Sequence, residues 1–280
     1  MYEEEIIKMM QELKNTAKKI RCLLMDEFAA IGIGHVGGSL SIVDALTILY
    51  FEKMNIDPKN PKMPDRDQLV LSKGHAGPAL YATLAERGYF DSSLLLTLNQ
   101  PGTILPSHCD MHLTPGVDMT AGSLGQGISC AAGIAKAGKI KKNNAFVYCI
   151  IGDGESQEGQ VWEASMSAVQ LKLDNLIILL DYNNMQIDGI VDDVNSLREP
   201  AKRWEALGFH TIEIDGHNLS DISNAIDCAK ETKGVPSLIV LNTIKGKGVS
   251  FVEEIGFSNH NMPITKEQAK NAIEEIMNTI

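Results

Sequence analysis

The sequence predicts an α/β fold with a doubly wound, mainly parallel sheet flanked by helices. Two apolar runs, residues 145–151 and 176–180, have the length and composition of buried strands. Each run leads directly into a polar turn, and a segment with helical periodicity lies between them. Further short apolar runs alternate with helical segments towards the C-terminus. This repeated strand–helix order predicts parallel strands joined by crossover helices.

Composition limits the classes of function. The chain has 280 residues, 44% of them hydrophobic, and a formal net charge of −11. That charge, without a long basic run, argues against nucleic acid as a partner. The five cysteines form no C-x-x-C pair and no zinc spacing, which favours a reduced, cytoplasmic protein. Apolar runs are far shorter than the roughly 20 residues that span a bilayer, so we expect no membrane segment.

The first part of the chain predicts helices separated by glycine-rich turns. Apolar residues recur at helical spacing over residues 3–31. A glycine-rich loop with His35 follows, and Ser39 or Ser41 is placed to cap a helix that continues to about Lys53.

The middle of the chain predicts one strand, one helix pair and a long loop. Residues 68–72 read as a short strand, followed by His75 in a glycine-flanked turn before a helix. Residues 101–120 carry three prolines and predict an irregular loop, and residues 125–142 predict a helix rich in glycine and alanine.

The C-terminal part predicts further strand–helix units. The predicted helices and strands are helix 200–207, strand 210–214, helix 220–230, strand 237–242 and a final helix 265–280. Thr265 and Gln268 have the spacing of a capping box. We expect one domain over residues 1–280, with terminal helices 3–31 and 265–280.

The stretch from Gly152 to Gly189 carries the strongest chemical signal. Asp153 follows one predicted strand and Asn183 follows the next. Because the carboxyl ends of parallel strands share one sheet edge, these two oxygen ligands are expected to converge. Such a pair suits Mg²⁺ held together with ligand phosphates, and the helix after Gly154 adds N–H donors for a phosphate.

Histidines form a second pattern. Four of the seven lie in turn-like sequence flanked by Gly, Ser or Pro, namely His35, His75, His108 and His217. No zinc-hydrolase spacing, G-x-S-x-G or P-loop lysine motif is present. Imidazoles around a phosphate–Mg²⁺ site suit proton transfer to sugar hydroxyls and phosphate recognition.

Together these segments resemble the transketolase family. The Gly-Asp-Gly to Asn-Asn stretch is similar to the thiamine diphosphate motif. The segments GHVGGSLS, LSKGHAGPALYA, PSHCDMHLTPGVDMTAGSLGQGIS, GDGESQEGQVWEA, DYNNMQIDG and IDGHN follow the family's order from about residue 15 to 260. The resemblance stops after the pyrophosphate-binding domain. It therefore implies the N-terminal subunit of a split transketolase, whose partner is a separate C-terminal subunit.

The resemblance implies roles for individual residues. Asp153, Asn183 and the main-chain oxygen of Met185 would bind Mg²⁺, or Ca²⁺ or Mn²⁺ in its place. Residues implied to contact thiamine diphosphate are His75, Gly122, Ser123, Leu124, Gly154, Glu155, Asn183 and His217.

The same resemblance implies the residues that act on the sugar. His35, His108 and His217 match the histidines of the substrate channel, and Glu158 and Glu163 match acidic residues at the subunit interface near the cofactor. Glu158 is also explained by the helix dipole alone.

Two departures from the family pattern bear on the site. Val36 stands where the family usually has proline, which is expected to loosen the His35 loop. Residues 258–261, SNHN, replace a usual Trp-His-Gly, which puts any role of His260 in doubt.

The implied reaction moves a two-carbon glycolaldehyde unit from a ketose phosphate to an aldose phosphate. The cofactor supplies carbanion chemistry for carbon–carbon cleavage. The glutamate that activates it comes from the pyrimidine-binding domain, so the chain is expected to be inactive alone and to form a heterotetramer with its partner.

Other functions stay open at this point. The first is another thiamine diphosphate enzyme: a transketolase-like subunit for an unusual sugar, a 1-deoxyxylulose-5-phosphate synthase relative or a 2-oxoacid dehydrogenase alpha subunit. The second is a non-catalytic cofactor-binding or assembly protein, although Asp153, Asn183 and the histidines that catalysis needs are all present.

Overall fold

The computed structural model describes residues 2–278. The first half of the chain contains α1 (Tyr2–Ile31), β1 (Ile33–Gly34), α2 (Val36–Leu40), α3 (Val43–Ile48), a π-helical turn (Leu49–Lys53), β2 (Gln68–Leu71), α4 (Gly77–Arg87), α5 (Gln126–Lys141) and β3 (Val147–Gly152). The second half contains α6 (Gly159–Gln170), β4 (Leu176–Tyr182), β5 (Met185–Gln186), β6 (Gly189–Ile190), α7 (Val191–Asn195), α8 (Pro200–Leu207), β7 (His210–Asp215), α9 (Leu219–Glu231), β8 (Ser237–Asn242), α10 (Ser250–Glu254), β9 (Met262–Pro263) and α11 (Lys266–Asn278).

A five-stranded parallel sheet organises the fold. Its strand order is β2-β3-β4-β8-β7, and every neighbouring pair is parallel. In the register of β3 and β4, Gly152 lies opposite Asp181. The polar turns after both strands therefore meet at the same edge of the sheet, as the sequence predicts.

Helices cover both faces of the sheet, so the predicted doubly wound α/β class is confirmed. On one face, Tyr148 and Ile150 of β3 pack into a core built with α1, α3, α4, α9 and α11. On the other face, Cys149 and Ile151 join a core built with α5, α6 and α8. Alternate residues of the same strand point to opposite faces, which is why β3 is apolar without a break.

The predicted helix from Ser39 or Ser41 to about Lys53 is confirmed at its C-terminal end but wrong at its start. It is divided into α2, α3 and a π-helical turn, and neither serine caps it. The Ser39 hydroxyl donates to the His35 carbonyl at 2.7 Å, and the Ser41 hydroxyl donates to Gly38 O and Asp181 Oδ2. Ser41 therefore ties this segment to the end of β4. Val36, predicted to loosen the loop, is fully buried at the start of α2.

Other predicted elements are close to those observed. Strands β3 and β4 extend one and two residues beyond the predicted ends, and residues 101–120 contain neither helix nor strand. Thr265 and Gln268 form the predicted capping box, with backbone N–H to side-chain distances of 2.9 and 3.1 Å. The last two positions of the predicted helix 265–280 lie outside the described residues. The short hairpin β5–β6 has no counterpart among the predicted elements.

All five cysteines are free thiols. Over residues 2–278, no helix has the length and apolarity needed to cross a membrane.

Candidate active site

A cavity of about 240 Å³ opens at the carboxyl ends of β3 and β4. Its lining combines the turn after β3, the turn after β4, the His75 turn and the loop before α10. The residues most relevant to its chemistry are Lys73, His75, Leu124, Asp153, Gly154, Glu155, Glu158, Asn183, Met185, Lys245 and His260. Most of the residues implied by the resemblance therefore lie together.

Asp153 is fixed in the floor of this cavity. Its side chain is 3% exposed. Oδ1 accepts the Gly154 N–H at 2.7 Å, and Oδ2 accepts the Asn184 N–H at 2.6 Å. Burial, and next the charge of Asp181, raise the pKa of Asp153 to about 7. A carboxylate in this position is stabilised by any cation that binds beside it.

Asn183 is oriented by a buried ion pair. Its Nδ2 donates to Asp181 Oδ2 at 3.0 Å, which leaves Oδ1 as the acceptor end, where it receives the Met185 N–H. Asp181 Oδ2 also lies 2.5 Å from the Lys73 ammonium. Burial alone would raise the pKa of Asp181, but Lys73 and hydrogen bonds from Lys73, Thr243 and Ser41 hold it below its usual value.

Lys245 brings a second ammonium group to the cavity. Its Nζ donates to the Met185 carbonyl at 3.0 Å and lies 3.3 Å from His260 Nδ1. Burial, and then the charge of Lys73, lower the pKa of Lys245 to about 8. A cation therefore already contacts one of the three oxygens expected to bind metal.

Four imidazoles form one cluster, and two of them, His75 and His260, line the cavity. The His35 ring centroid lies 5.5 Å from that of His75, 5.9 Å from that of His108 and 5.4 Å from that of His260. His75 and His260 are 4.9 Å apart. Adjacent imidazole rings supply both hydrogen-bond donors and acceptors to a bound molecule.

The pKa values of three of these histidines are lowered. Burial, and next the charge of His108, lower the pKa of His35. Burial and the Lys73 charge lower that of His75 well below its usual value. Burial and the Lys245 charge lower the pKa of His260 to about 3. These rings are therefore neutral at physiological pH, and each has one nitrogen that can accept a hydrogen bond.

The loop at Gly122, Ser123 and Leu124 is exposed beside the histidines. A Cβ at Gly122 would lie 3.9 Å from His108 Cδ2, and Leu124 is 39% exposed at the cavity rim. A Cβ at Gly74 would approach the Ala121 carbonyl to 2.6 Å. The His75 turn and this loop therefore touch through their backbones, and only glycine permits that approach.

Glu155 differs from its expected surroundings. Its side chain is 2% exposed and joins three elements, since it accepts from the Ser72 hydroxyl, Gly125 N–H and Gly152 N–H. The carboxylate thus holds the end of β3 against the start of α5. Glu158 is exposed on the rim and lines the cavity, whereas Glu163 is exposed on α6.

His217 does not join the cluster. Its Nδ1–H donates to Asp44 Oδ2 at 2.8 Å, and its Nε2 accepts the Ile244 N–H at 2.8 Å. Both ring nitrogens are used by the protein itself, and His217 lines a different cavity. Its predicted contact with the diphosphate and the sugar therefore has no support in its position. His260, which the departure from Trp-His-Gly put in doubt, lies in the cluster instead.

Sequence reasoning also missed Lys73 and Lys245. Both signals were available in principle, because Lys73 lies two residues before His75 and Lys245 lies in the Gly/Lys-rich segment after β8. A lysine next to a glycine is too common to be informative before the topology places it beside an aspartate.

The donor set fits a divalent cation that shares its ligands with a phosphate. Asp153, Asn183 and the Met185 carbonyl supply hard oxygens from two neighbouring strand ends. Within residues 2–278, no group of three or more His, Cys, Asp or Glu side chains is placed to hold a metal alone. The remaining positions would fall to phosphate and water, as Mg²⁺ prefers. Lys73 and Lys245 provide positive charge for a diphosphate at the same place.

Comparisons with known proteins agree with this geometry. Residues 12–276 match the family model described as Transketolase, thiamine diphosphate binding domain. The chain is 54% identical over 265 residues to the 6-deoxy-6-sulfo-D-fructose transketolase subunit SqwG of Clostridium sp. (strain MSTE9), covering 95% of this chain and 96% of that protein. It is 38% identical over 270 residues to an apulose-4-phosphate transketolase subunit from Phocaeicola vulgatus, covering 96% and 95%.

Solved structures give the same result. The transketolase from Leishmania mexicana superposes with a TM-score of 0.89 at 32% identity, covering 95% of this chain and 41% of that chain. The chain thus spans nearly all of the two subunits but about two fifths of this longer transketolase. The family match, the two subunits and the shared fold lead to one conclusion: this chain belongs to the transketolase family, as an N-terminal subunit that carries the thiamine diphosphate binding domain.

Proposed function

We propose that residues 1–280 form one pyrophosphate-binding domain that supplies half of a transketolase active site. The observation that carries this proposal is the meeting of three oxygen ligands, two lysines and two histidines in one cavity, with the rings of His35 and His108 next to those histidines. The enzyme is a transferase that moves a two-carbon unit between sugars.

The cofactor site follows from this chain's own residues. Asp153, Asn183 and the Met185 carbonyl hold Mg²⁺, or Ca²⁺ or Mn²⁺ in its place. His75, Lys245 and the Gly154 turn bind the diphosphate. The exposed loop at Gly122, Ser123 and Leu124 contacts the thiamine. Bound there, thiamine diphosphate supplies the carbanion and electron-accepting chemistry that carbon–carbon cleavage requires.

The histidines act on the sugar. The ring centroids of His108 and His260 each lie within 6 Å of the His35 ring centroid. A sugar hydroxyl next to these rings therefore has both hydrogen-bond acceptors and donors within reach. We assign them to orienting the donor sugar and moving protons at its oxygens. His260 replaces His217 in this assignment, for the reason of position given above.

The cavity needs a second chain. Leu124, Glu158 and Ile187 are exposed on its rim, and Ile187 is 66% exposed. We propose that a C-terminal transketolase subunit covers this rim, contributes the activating glutamate and assembles with this chain into a heterotetramer. Reduced thiols at all five cysteines suit the cytoplasmic location expected from the sequence.

For the sugar, we favour an unusual ketose over the common pentose phosphates. The support is the identity of 54% to a subunit whose name specifies 6-deoxy-6-sulfo-D-fructose, against 38% to one named for apulose 4-phosphate. A ketose with a sulfonate in place of a phosphate is therefore the first donor to test. Xylulose 5-phosphate with ribose 5-phosphate is the second candidate pair, from the general resemblance.

A mixing assay tests the function. The chain and its partner are combined with Mg²⁺, thiamine diphosphate, an aldose phosphate acceptor and each ketose in turn. Two-carbon transfer only when both chains are present is expected. Appreciable turnover by this chain alone contradicts the half-site. In a parallel assay, pyruvate and an aldehyde replace the sugars, and product there without ketose cleavage points to a 1-deoxyxylulose-5-phosphate synthase-like reaction instead.

A further inference from the structure

A second cavity, larger than the first, has His217 in its lining. Its volume is about 480 Å³, and it is bounded by α1, the start of α9 and the loop before α10. The two cavities have no lining residue in common. Nothing in the transfer reaction described above uses this space.

Four basic side chains line this second cavity, beside apolar ones. Lys14, Lys18, Arg21 and Lys247 line it, and Asp44 is the one carboxylate among the described lining residues. Such a concentration of positive charge is notable in a chain whose formal net charge is −11. Charge of one sign in a concave site attracts ligands of the other sign.

Asp44 does not neutralise the lysines. Its oxygens accept from Arg21 Nη1 at 3.0 Å and Nη2 at 2.6 Å, and from His217 Nδ1 at 2.8 Å. Burial would raise the pKa of Asp44, but the Arg21 charge and these hydrogen bonds lower it to about 2. Asp44 is thus charged and fully occupied by Arg21, so the pair contributes no net charge.

The hydrogen bonds of His217 determine which of its ring nitrogens donates. The Ile244 N–H donates to Nε2, so that nitrogen carries no proton and Nδ1 carries the one that Asp44 accepts. The positive charge of the cavity therefore resides on the lysines. Among the described residues, Lys14 and Lys247 have no side-chain hydrogen bond or ion pair. Beside the cavity, Glu253 accepts the Gly248 N–H.

Two further features suit an organic anion. The 13-residue helix α9 begins at the cavity wall, where Ser220 lines it; Asn218 Oδ1 already accepts its first N–H groups, so the helix end contributes only a partial positive charge. Met10 and Ile276 provide apolar surface for a short carbon skeleton. An inorganic ion would leave that surface unused.

We propose that this cavity binds a small organic anion with a phosphate or sulfonate group, held between Lys14 and Lys247. The site is separate from the transferase site, so its failure would leave the proposed function unaffected. Phosphate and sulfonate share the same recognition chemistry, and the titration below distinguishes them.

Isothermal titration calorimetry on the full chain tests the proposal. The probes are glycerol 3-phosphate, 2-hydroxyethanesulfonate and, as a neutral control, glycerol. We expect binding of at least one anion and none of glycerol. Replacing both lysines, Lys14→Ala with Lys247→Ala, should weaken binding at least about tenfold, because two charge-assisted contacts are lost. No binding of either anion by the unaltered chain overturns the proposal.

Two matched variants locate the binding. Lys8→Ala with Lys270→Ala removes the same charge from exposed lysines outside the cavity. An equal loss of anion affinity in this variant would show that the effect comes from the net charge of the chain and would contradict a site in the cavity. Lys245→Ala alters the other cavity, and a loss there instead of at Lys14 and Lys247 places the anion in the cofactor site. Melting temperatures of all variants show whether each remains folded.

A spectroscopic readout completes the test. The NMR chemical shifts of the His217 imidazole nitrogens should change on addition of the anion, since this ring lines the cavity. The titration is then repeated with the partner subunit bound. Retained affinity supports a small-molecule site, and complete loss shows that the partner covers the cavity and contradicts the proposal.

Discussion

Asn183 donates its amide N–H to Asp181 Oδ2 at 3.0 Å, and this contact, with the Met185 N–H bond to Oδ1, fixes the orientation of the amide in the cofactor cavity. Asp181 is fully buried and also receives the Lys73 ammonium, which is 2% exposed. We expect Asp181→Asn to lower the free energy of unfolding by about 3–5 kcal/mol, because Lys73 is left without a countercharge. Urea denaturation measures this change.

The matched control for this prediction removes both charges. Lys73→Met combined with Asp181→Leu should be clearly less destabilising than Asp181→Asn, since no buried ion remains unpaired. Equal losses in the free energy of unfolding would show that the two side chains contribute through their packing and not through their charges. A loss below about 1 kcal/mol in Asp181→Asn contradicts the buried-pair argument.

Metal dependence follows from the position of Asp153. We expect Asp153→Ala to abolish retention of thiamine diphosphate, because one of the three expected protein ligands of the cation is removed. Retention is measured by cofactor fluorescence after desalting, with Mg²⁺, Ca²⁺, Mn²⁺ or a chelator present. Glu205→Ala, at an exposed position of α8, serves as control. Full retention by Asp153→Ala would break the metal assignment.

Most of the fold could be predicted from the sequence. Apolar runs, the helical spacing of apolar residues and the positions of glycines predict strands β3, β4 and β8 and the helices between them. The segment after His35 could not, because its interruption depends on distant partners. Ser41 forms a hydrogen bond with Asp181, 140 residues away, and no local pattern reveals that contact. The hairpin β5–β6 is too short to give a periodic signal.

The site was predicted in part for a related reason. Asp153 and Asn183 follow adjacent strands, so the topology alone brings them together. His217 also follows a strand, β7, but that strand lies at the edge of the sheet, beyond β8. Its imidazole meets Asp44 and not His35. The distinction between His217 and His260 therefore depends on strand order, which the sequence does not state.

The contact between the His75 turn and the neighbouring loop gives a packing prediction. A Cβ at Gly74 would lie 2.6 Å from the Ala121 carbonyl, so Gly74→Ala must displace backbone. We expect a loss of about 1–3 kcal/mol of stability, with weaker cofactor binding as the loop at Gly122 moves. Thermal unfolding and calorimetry measure the two effects.

Gly133 offers the matched control for that substitution. It lies within α5, and a Cβ there would have no atom within 4 Å. Gly133→Ala should therefore raise stability by up to about 1 kcal/mol through helix propensity. If both alanines have the same effect, the steric argument at Gly74 is wrong.

Glu27 provides a prediction about pH. It is fully buried in α1, and neither carboxylate oxygen has a hydrogen-bond partner among the described residues. Burial raises its pKa well above the usual value. In the folded state the group therefore stays protonated, whereas in the unfolded state it ionises at ordinary pH. Keeping Glu27 protonated in the folded state costs no stability below the pKa that it has in the unfolded chain. This cost in the free energy of unfolding grows as pH rises towards the pKa of Glu27 in the folded state.

Replacing this carboxyl by an apolar group should remove the pH dependence. We expect Glu27→Leu to be increasingly more stable than the unaltered chain between about pH 5 and pH 8, by up to about 1.4 kcal/mol per pH unit. Melting curves across that range measure the difference. Glu12→Leu, at an exposed position of the same helix, should show no such trend. A constant difference between Glu27→Leu and the unaltered chain contradicts the assignment of a protonated carboxyl.

His260, which takes the role predicted for His217, can be compared with His217 in a functional test. His260 lies 5.4 Å from His35 and 4.9 Å from His75 between ring centroids, whereas His217 uses both ring nitrogens on Asp44 and Ile244. In the complex with the partner subunit, His260→Ala should lower kcat/KM at least about tenfold, since an imidazole that contacts the reacting sugar is removed. His217→Ala should cost less activity and more stability, because it frees the buried Asp44 from one donor. Steady-state kinetics and melting temperatures of both variants separate these outcomes. A larger loss of kcat/KM in His217→Ala than in His260→Ala would return His217 to the substrate channel and contradict the histidine cluster as the sugar site.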